Sequence, residues 1–223
     1  MKNIIKTGVT LMLFTLVAGV ILGLIYNLAK PAIDQAELNN TLKALEFVLT
    51  HDGKLLIDKN ILVKQATEKA KEPEKVLYTY EGGTVISPVF KFETSQGTVY
   101  VLKGYGIGYG GKVITVASFY KNGDRIDLHA IKVIEYSQET PGLGAKISEN
   151  ESQERFYPMP YEGLKNGVLV DKDARKSFLK PEEAKKLGIV KISDVMTGAT
   201  ITPRAVASTL TAMFKYLSSG GVK

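Results

Sequence analysis

A long apolar run marks the first part of the chain. From Thr7 to Leu28 there is no charged residue, and valine, leucine, isoleucine, phenylalanine and alanine dominate. About 20 such residues in a helix span the hydrocarbon core of a bilayer. A cleaved signal peptide is the competing interpretation, but its apolar region is only about 7–15 residues long. The run therefore favours an uncleaved transmembrane anchor, which we assign to residues 1–30.

The charges before this run predict its orientation. Lys2 and Lys6 precede the apolar residues, and positively charged flanks tend to stay on the cytoplasmic side of a membrane. We therefore expect one membrane span with a cytoplasmic amino terminus, and an extracytoplasmic soluble part after Lys30.

A different pattern follows Pro31. Ala32 to about Leu49 is predicted as a helix that continues from the membrane into the soluble part, because leucines recur on one of its faces. These leucines are Leu38, Leu42, Leu45 and Leu49. Residues 60–75 are charged and weakly patterned, which leaves a loop or a poorly packed helix open. We assign residues 31–75 to a helical connector.

From Val76 the pattern becomes that of strands, with two hairpin signals. The first hairpin comprises residues 89–94 and 98–103 around Ser95-Gln-Gly97, and the second comprises residues 113–120 and 125–133 around Lys121-Asn-Gly-Asp124. Helix-forming stretches follow at residues 148–156 and 181–187. The sequence thus predicts an α+β fold, with an antiparallel sheet and flanking helices in one domain over residues 76–223.

The last helix follows a loop rich in hydroxyl groups, Asp194-Val-Met-Thr-Gly-Ala-Thr200. Thr202 and Pro203 predict a helix cap followed by the first helical position. Apolar residues then recur at helical spacing, at Val206, Leu210, Met213 and Leu217. The unpaired N–H groups and the dipole of a helix start favour an anion, so a phosphate would suit this loop. Taken alone, the segment is also compatible with a well-capped helix and nothing more.

Two glycine-rich segments precede this loop. Gly106-Ile-Gly-Tyr-Gly-Gly111 matches the dinucleotide-binding pattern, but the β-branched residues 113–119 predict a strand where that pattern needs a helix. We therefore expect a close-packed turn between strands. In the second segment, Glu139-Thr-Pro-Gly-Leu-Gly144, Pro141 and Gly142 suit the centre of a type II turn, and Gly144 allows an unusual backbone conformation.

Composition excludes several chemistries. The chain has no cysteine, which excludes disulfides, iron–sulfur ligation and a cysteine nucleophile. Its net charge of +6 comes from lysines interspersed with acids rather than from a basic block, so we expect no nucleic-acid partner. His51 and His129 belong to no ligand cluster in the sequence, and we expect no metal site there.

Three segments in this order resemble the FMN-binding domain family, found in the RnfG component of the Rnf complex and in the C component of the sodium-translocating NADH:quinone oxidoreductase. Asp194-x-x-Thr197-Gly198-Ala199-Thr200 resembles the family's flavinylation motif, with threonine where the family often has serine. Gly108-Tyr-Gly-Gly111 and Glu139-Thr-Pro-Gly-Leu-Gly144 are similar to two further segments of the family. The glutamate-containing segment is nearly a signature of the RnfG branch.

The resemblance implies a membrane-anchored electron-transfer subunit of a translocase. FMN would be joined to Thr200 through a phosphoester by a dedicated flavin transferase, and other subunits would hold the ferredoxin and NAD sites and the sodium or proton path. The cell membrane would be bacterial or archaeal. Thr200 is thus an attachment point, and we expect no catalytic residue in turnover.

We expect two sets of contacts around the flavin. The phosphate neighbourhood comprises Thr197, Gly198, Ala199 and Thr202. Contacts with the ring or ribityl chain comprise Glu139, Thr140, Leu143, Gly144, Tyr109 and Gly110. Asp194 is expected either to be recognised by the flavin transferase or to hold the loop, because a carboxylate beside a phosphate would be repelled.

Other functions remain open from the sequence. Within the flavin class, the alternative is the C component of the quinone reductase. Outside it, the chain could be an anchored binding domain without redox chemistry, which would not depend on Thr200. A threonine hydrolase is disfavoured, because Thr200 lacks a free α-amino group and a neighbouring histidine.

Overall fold

The apolar run lies within one long helix, α1, which spans Lys2–Val48. The computed structural model describes residues 2–94 and 97–222, and the chain divides into two units after Asn40. In the first unit the apolar side chains are exposed, Leu11, Phe14 and Leu24 among them. By length and composition, α1 is able to cross a membrane.

Pro31 lies inside α1, and the helix predicted from Ala32 onward is part of the same helix. Proline has no N–H group and therefore removes one hydrogen bond from a helix. A helix of this length keeps its other bonds and can continue past the proline. The predicted continuity from the apolar run to the leucine-rich stretch is confirmed.

The second unit contains a five-stranded antiparallel sheet in the order β3-β4-β5-β6-β7. Its strands are β3 (Val76–Tyr80), β4 (Gly83–Thr94), β5 (Gly97–Ile107), β6 (Lys112–Asn122) and β7 (Arg125–Glu135). Thr94 pairs with Gly97, and Asn122 pairs with Arg125. Both predicted hairpins are therefore confirmed, although Ser95 and Gln96 of the first turn lie outside the described residues.

Short elements surround this sheet. They are β1 (Thr50–His51), β2 (Lys54–Leu55), α2 (Lys59–Lys69), a 3₁₀ helix (Gly144–Ser148), α3 (Asn150–Glu154), α4 (Tyr161–Leu164), β8 (Leu169–Val170), α5 (Pro181–Lys186) and β9 (Ile189–Val190). The stretch that the sequence left open is thus partly helical. Asp58 caps α2 by accepting a 2.7 Å hydrogen bond from the Asn60 N–H, and Leu62 and Ala66 are buried.

The last helix, α6, spans Ile201–Ser218 and packs on the sheet. The predicted apolar stripe is buried, at Val206, Leu210, Met213 and Leu217. Strand glycines permit a close approach: a Cβ atom on Gly83 would lie 2.1 Å from the Ser208 carbonyl oxygen, and one on Gly106 would lie 2.3 Å from that of Ala205. This contact places the start of α6 beside the turn that follows β5.

Candidate functional site

The loop before α6 contains a run of unpaired backbone donors. Among the described residues, the N–H groups of residues 197–202 make no well-formed hydrogen bond with a protein acceptor. Gly198 turns the chain with φ of +86°, a conformation that favours glycine. Such a run of N–H groups at a helix start is suited to the oxygens of an anion.

Thr200 occupies the helix cap, and its side chain makes no capping hydrogen bond. The sequence placed the cap at Thr202, which instead lies in the first turn, so that prediction is wrong. The reason is that the Thr202 hydroxyl is engaged elsewhere, and a proline is tolerated anywhere in the first turn because its N–H would be unpaired there. The Thr200 hydroxyl is half-buried and available for chemistry.

Glu139 links all three glycine- and threonine-rich segments. Its side chain is only 5% exposed. One carboxylate oxygen accepts a hydrogen bond from the Thr202 hydroxyl, and the other accepts a 3.3 Å bond from the Gly110 N–H. A buried carboxylate needs such donors to offset its lost hydration. Glu139 therefore ties the start of α6 to the turn between β5 and β6.

Glycines leave room for this carboxylate. A Cβ atom on Gly108 would lie 2.1 Å from one Glu139 oxygen, and a Cβ atom on Gly144 would lie 2.2 Å from the other. Gly144 was expected to provide an unusual backbone conformation, but its φ lies outside the positive range. That expectation is corrected: Gly144 is needed for close approach to Glu139.

The turn of residues 108–111 packs closely against Gln138. The Gly108 N–H donates a 2.7 Å hydrogen bond to the Gly111 carbonyl. A Cβ atom on Gly110 would lie 1.7 Å from the Gln138 carbonyl oxygen, and one on Gly111 would lie 1.6 Å from the Gln138 side-chain oxygen. The close-packed turn expected from the sequence is thus present, and Gln138 is a contact that the sequence did not indicate.

Apolar side chains are exposed beside this polar framework. Tyr109 is 74% exposed and Leu143 is 45% exposed. The predicted turn around Pro141 is present, because the Leu143 N–H donates to the Thr140 carbonyl at 3.1 Å and Gly142 has φ of +73°. A Cβ atom on Gly198 would lie 3.6 Å from a Leu143 methyl group. Leu143 is therefore next to residues 194–200, which we call the threonine loop, and it can cover a flat apolar ligand there.

Asp194 holds the other end of the loop. Its carboxylate lies 3.3 Å from the Arg155 guanidinium, and the Thr197 hydroxyl donates to the Ser193 carbonyl at 3.3 Å. Ala199 packs against the core, and Met196 is buried within it. The loop is thus anchored at several points although its donors stay free.

Arg204 is a neighbour of the loop that the sequence did not single out. It lies one helical turn after Thr200, and its N–H donates to the Thr200 carbonyl at 3.2 Å. Its guanidinium donates two hydrogen bonds to Asp173, of 2.7 and 2.6 Å. These bonds lower the pKa of Asp173 and raise the pKa of Arg204. The i, i+4 spacing from Thr200 was the available signal.

The two histidines lie at a different place, in a groove of about 640 Å³ that also contains Phe47 and Tyr157. The His129 imidazole lies 3.2 Å from the Thr50 carbonyl oxygen, and burial lowers its pKa. Burial also raises the pKa of Tyr157 to about 12. This groove contains none of the motif residues, so its size does not make it the candidate site.

The predicted residues therefore fall into two groups. Those that remain accessible are Thr197, Gly198, Ala199, Thr200, Thr140, Leu143, Tyr109 and Gly110. Glu139, Gly144 and Thr202 are buried and contact one another, which gives them a supporting position. A phosphate with an attached flat ring fits the accessible group, because free N–H groups and a free hydroxyl adjoin exposed apolar side chains.

Comparison with known proteins finds two matching family models and a similar curated protein. A family model described as an FMN-binding domain matches residues 108–215, and one described as the RnfG N-terminal region matches residues 1–48. The G component of the ion-translocating oxidoreductase complex of Pseudoalteromonas atlantica is 26% identical over 212 residues, which cover 93% of this chain and 86% of that protein.

A solved structure is also similar. It comes from Thermotoga maritima and is described as an RnfG subunit of an electron transport complex. The two chains are 38% identical and superpose with a TM-score of 0.64, over 81% of this chain and 97% of the other. The α+β fold predicted from the sequence is therefore shared with a solved protein.

Proposed function

We propose that this chain, which belongs to the RnfG family of FMN-binding proteins, carries FMN covalently on Thr200 and transfers electrons through it. As a member of that family, it is an FMN-binding subunit of an ion-translocating oxidoreductase complex. The covalent attachment at Thr200 and the residues around it are our proposal.

The observation that carries the proposal is the free Thr200 hydroxyl within a run of unpaired N–H groups. A phosphoester joins the Thr200 oxygen to phosphorus, and its formation from threonine and FMN releases the elements of one water. The remaining phosphate oxygens are acceptors, and the N–H groups of residues 197–202 are donors without a well-formed bond to the residues that the structure describes. Donor and acceptor chemistry therefore match.

Different residues of the chain contact different parts of the cofactor. The loop from Thr197 to Thr202 binds the phosphate, and Leu143 and Tyr109 cover the ring or the ribityl chain. Glu139 positions both regions through Thr202 and Gly110. FMN supplies the ability to accept and return one or two electrons, and the protein sets its position and electrostatic surroundings.

The remaining parts of the proposal concern the complex. Partner subunits hold the ferredoxin and NAD sites and conduct sodium or protons, and this subunit transfers electrons between other carriers. Helix α1 crosses the cell membrane once with its amino terminus in the cytoplasm, so that the FMN-binding domain is extracytoplasmic. Protease digestion of right-side-out and inverted membrane vesicles tests this orientation, because only the former expose the domain.

An RnfG role is favoured over that of the C component of the sodium-translocating quinone reductase. The match of residues 1–48 to the RnfG N-terminal region and the two relatives from Rnf-type complexes support this choice. An anchored binding domain without redox chemistry would bind no flavin and would not depend on Thr200.

The direct test is the intact mass of the denatured protein after co-production with a flavin transferase. The wild type is expected to gain the mass of one FMN less one water, and Thr200→Ala to gain nothing. Ser219→Ala is the control, because it removes an exposed hydroxyl at the other end of α6, away from the motif, and should keep the added mass. Thr200→Ser should restore it.

Two results would contradict the proposal. One is an unmodified wild type when the same transferase modifies a control substrate. The other is an added mass that remains in Thr200→Ala, which would move the attachment to another residue.

A further inference from the structure

A hydrogen-bonded loop that contacts Arg204, one helical turn after Thr200, carries an exposed aromatic residue and several positive charges. We call residues 172–180 the basic finger. We propose that the basic finger docks onto an acidic surface of another subunit of the complex, the one that exchanges electrons with the flavin. This inference rests on the proposed function for the location of the flavin, but the finger itself is a separate surface.

The finger has a defined conformation. Its backbone closes on itself, because the Lys176 N–H donates to the Asp171 carbonyl at 3.0 Å and the Leu179 N–H donates to the Lys176 carbonyl at 3.2 Å. The Lys191 ammonium donates a 2.5 Å hydrogen bond to the Ser177 carbonyl from outside the loop. An ordered loop loses less conformational entropy on binding than a flexible one.

Phe178 lies at the exposed part of this loop. It is 81% exposed, although a phenylalanine is one of the residues most often buried in proteins. Exposed aromatic side chains that fill a pocket of a partner are frequent hot spots of protein interfaces. The backbone around Phe178 is hydrogen-bonded. We therefore interpret the exposure of this side chain as a feature of the folded loop and not as a sign of local unfolding.

Four positively charged residues lie within six positions of Phe178 in the sequence. Lys172, Arg175, Lys176 and Lys180 are exposed, and none of them forms an ion pair with any residue in the described part of the chain. Asp173 is the only acid within the finger, and its charge is already paired with Arg204. The finger therefore presents uncompensated positive charge, which is complementary to clustered carboxylates on a partner.

The finger is joined to the flavin-attachment loop by two contacts. Asp173 receives both hydrogen bonds from Arg204, one helical turn after Thr200. Asp171, just before the finger, accepts a hydrogen bond from the hydroxyl of Ser193, the residue before the threonine loop. A partner that binds the finger is thus brought next to Thr200.

This location favours a protein over an anionic lipid surface as the occupant. Lysines with an exposed phenylalanine also suit lipid headgroups, but a lipid surface beside the flavin would supply no electron carrier. A protein subunit docked on the finger would bring its own carrier close to the FMN. Electrostatic complementarity would also speed the association of the two surfaces.

Cross-linking within the purified, intact complex tests the inference. A zero-length carbodiimide joins lysine amines to carboxylates in contact with them. In the variant Phe178→p-benzoylphenylalanine, illumination links that side chain covalently to a molecule in contact with it. Lys172, Lys176 and Lys180 are expected to join carboxylates of one other subunit, and the photoprobe is expected to mark the same subunit. Phe178→Ala should lower the carbodiimide yield by about tenfold.

Matched variants on α2 and the segment after it control for general charge and exposure. Lys64→Glu, Lys71→Glu and Lys75→Glu together should leave the cross-link unchanged, as should Ile61→Ala, whereas reversal of the four finger charges should abolish labelling of the other subunit by the photoprobe at position 178. Three results would overturn the inference. The photoprobe could label lipid only, the carbodiimide could form links only within this chain, or the control variants could lose as much cross-linking as the finger variants.

Flavin fluorescence of the denatured protein separates this inference from the proposed function. Covalent FMN with no cross-link at the finger would contradict the docking surface and leave the flavin proposal in place. A specific cross-link from a chain that carries no covalent FMN would support the docking surface and contradict the flavin proposal.

Discussion

Two polar clusters at the start of α6 use their hydrogen-bonding groups in opposite ways. Around Glu139, the carboxylate and the Thr202 hydroxyl are buried and bonded to each other, and the Gly110 N–H also donates to the carboxylate. In the loop of residues 197–200, the N–H groups and the Thr200 hydroxyl have no well-formed hydrogen bond to any residue in the described part of the chain. The first cluster gives rigidity, and the second keeps donors available for a ligand.

The difference in burial explains why both arrangements are stable. A buried polar group without a partner costs about 1–3 kcal/mol, so the cluster around Glu139 has to satisfy its own groups. The threonine loop borders solvent, where water bonds to free donors at little cost. A phosphate can replace that water without breaking any bond within the protein. The following changes should weaken or separate the two clusters.

Removal of the Glu139 carboxylate should have the largest effect on stability. In Glu139→Ala, the buried Thr202 hydroxyl loses its acceptor and the Gly110 N–H loses a weaker, partly exposed one, so the free energy of unfolding should fall by about 3 kcal/mol. Urea denaturation of the full chain in detergent measures this loss. Glu149→Ala, an exposed glutamate nearby, should change stability by less than about 0.5 kcal/mol. An equal effect of both variants would refute the linking role of Glu139.

A methyl group at position 144 should disturb the same cluster less. In Gly144→Ala, the new Cβ atom would lie 2.2 Å from a Glu139 oxygen, and relief of this contact should cost about 2 kcal/mol. If the clash with Glu139 is the cause, Gly144→Ala should cost much less when made in Glu139→Ala. Additive costs in this double-mutant cycle would contradict the explanation.

Asp194 can be tested for its two possible roles in the threonine loop. Asp194→Asn and Arg155→Gln both break the ion pair, but only the first removes a carboxylate that a flavin transferase could recognise. We expect Asp194→Asn to lower the flavinylation rate on the order of tenfold, because a recognised charge is lost. Arg155→Gln should lower the flavinylation rate far less. If the two variants had equal flavinylation rates, the role of Asp194 would be to hold the loop through its ion pair with Arg155.

The Asp173–Arg204 pair should have the smallest effect, one that depends on pH. Because the folded-state pKa of Asp173 is lowered, its stabilisation is present above the ordinary pKa of about 4 and is lost as the pH falls through the folded value. Both side chains are partly exposed, so the contribution should stay below about 1 kcal/mol. In urea denaturation, the stability difference between wild type and Asp173→Asn should therefore shrink between about pH 5 and about pH 3; a difference that persists at low pH would contradict the pairing.

Some errors of prediction came from tertiary contacts that local patterns do not contain. Thr202 followed by proline has the local signature of a helix cap, yet its hydroxyl bonds to Glu139, 63 positions earlier. Gly144 suggested an unusual backbone, whereas its need for space arises from two side chains.

The sequence alone determined the features that depend on near neighbours. The uncharged run predicted a possible membrane span, alternation and turn residues predicted the hairpins, and the order of three motifs indicated the flavin family. Each signal lies within a few residues, where periodicity and backbone preference act.

Only the tertiary structure decided which motif residues hold the site and which remain free to bind. Gly110, Glu139 and Thr202 are distant in sequence, and the sheet and α6 bring them together. The same packing places Arg204 and the basic finger beside Thr200. The physical reason is that burial and hydrogen-bond partners depend on the folded chain as a whole, so residues of similar chemistry, such as Thr200 and Thr202, acquire opposite roles.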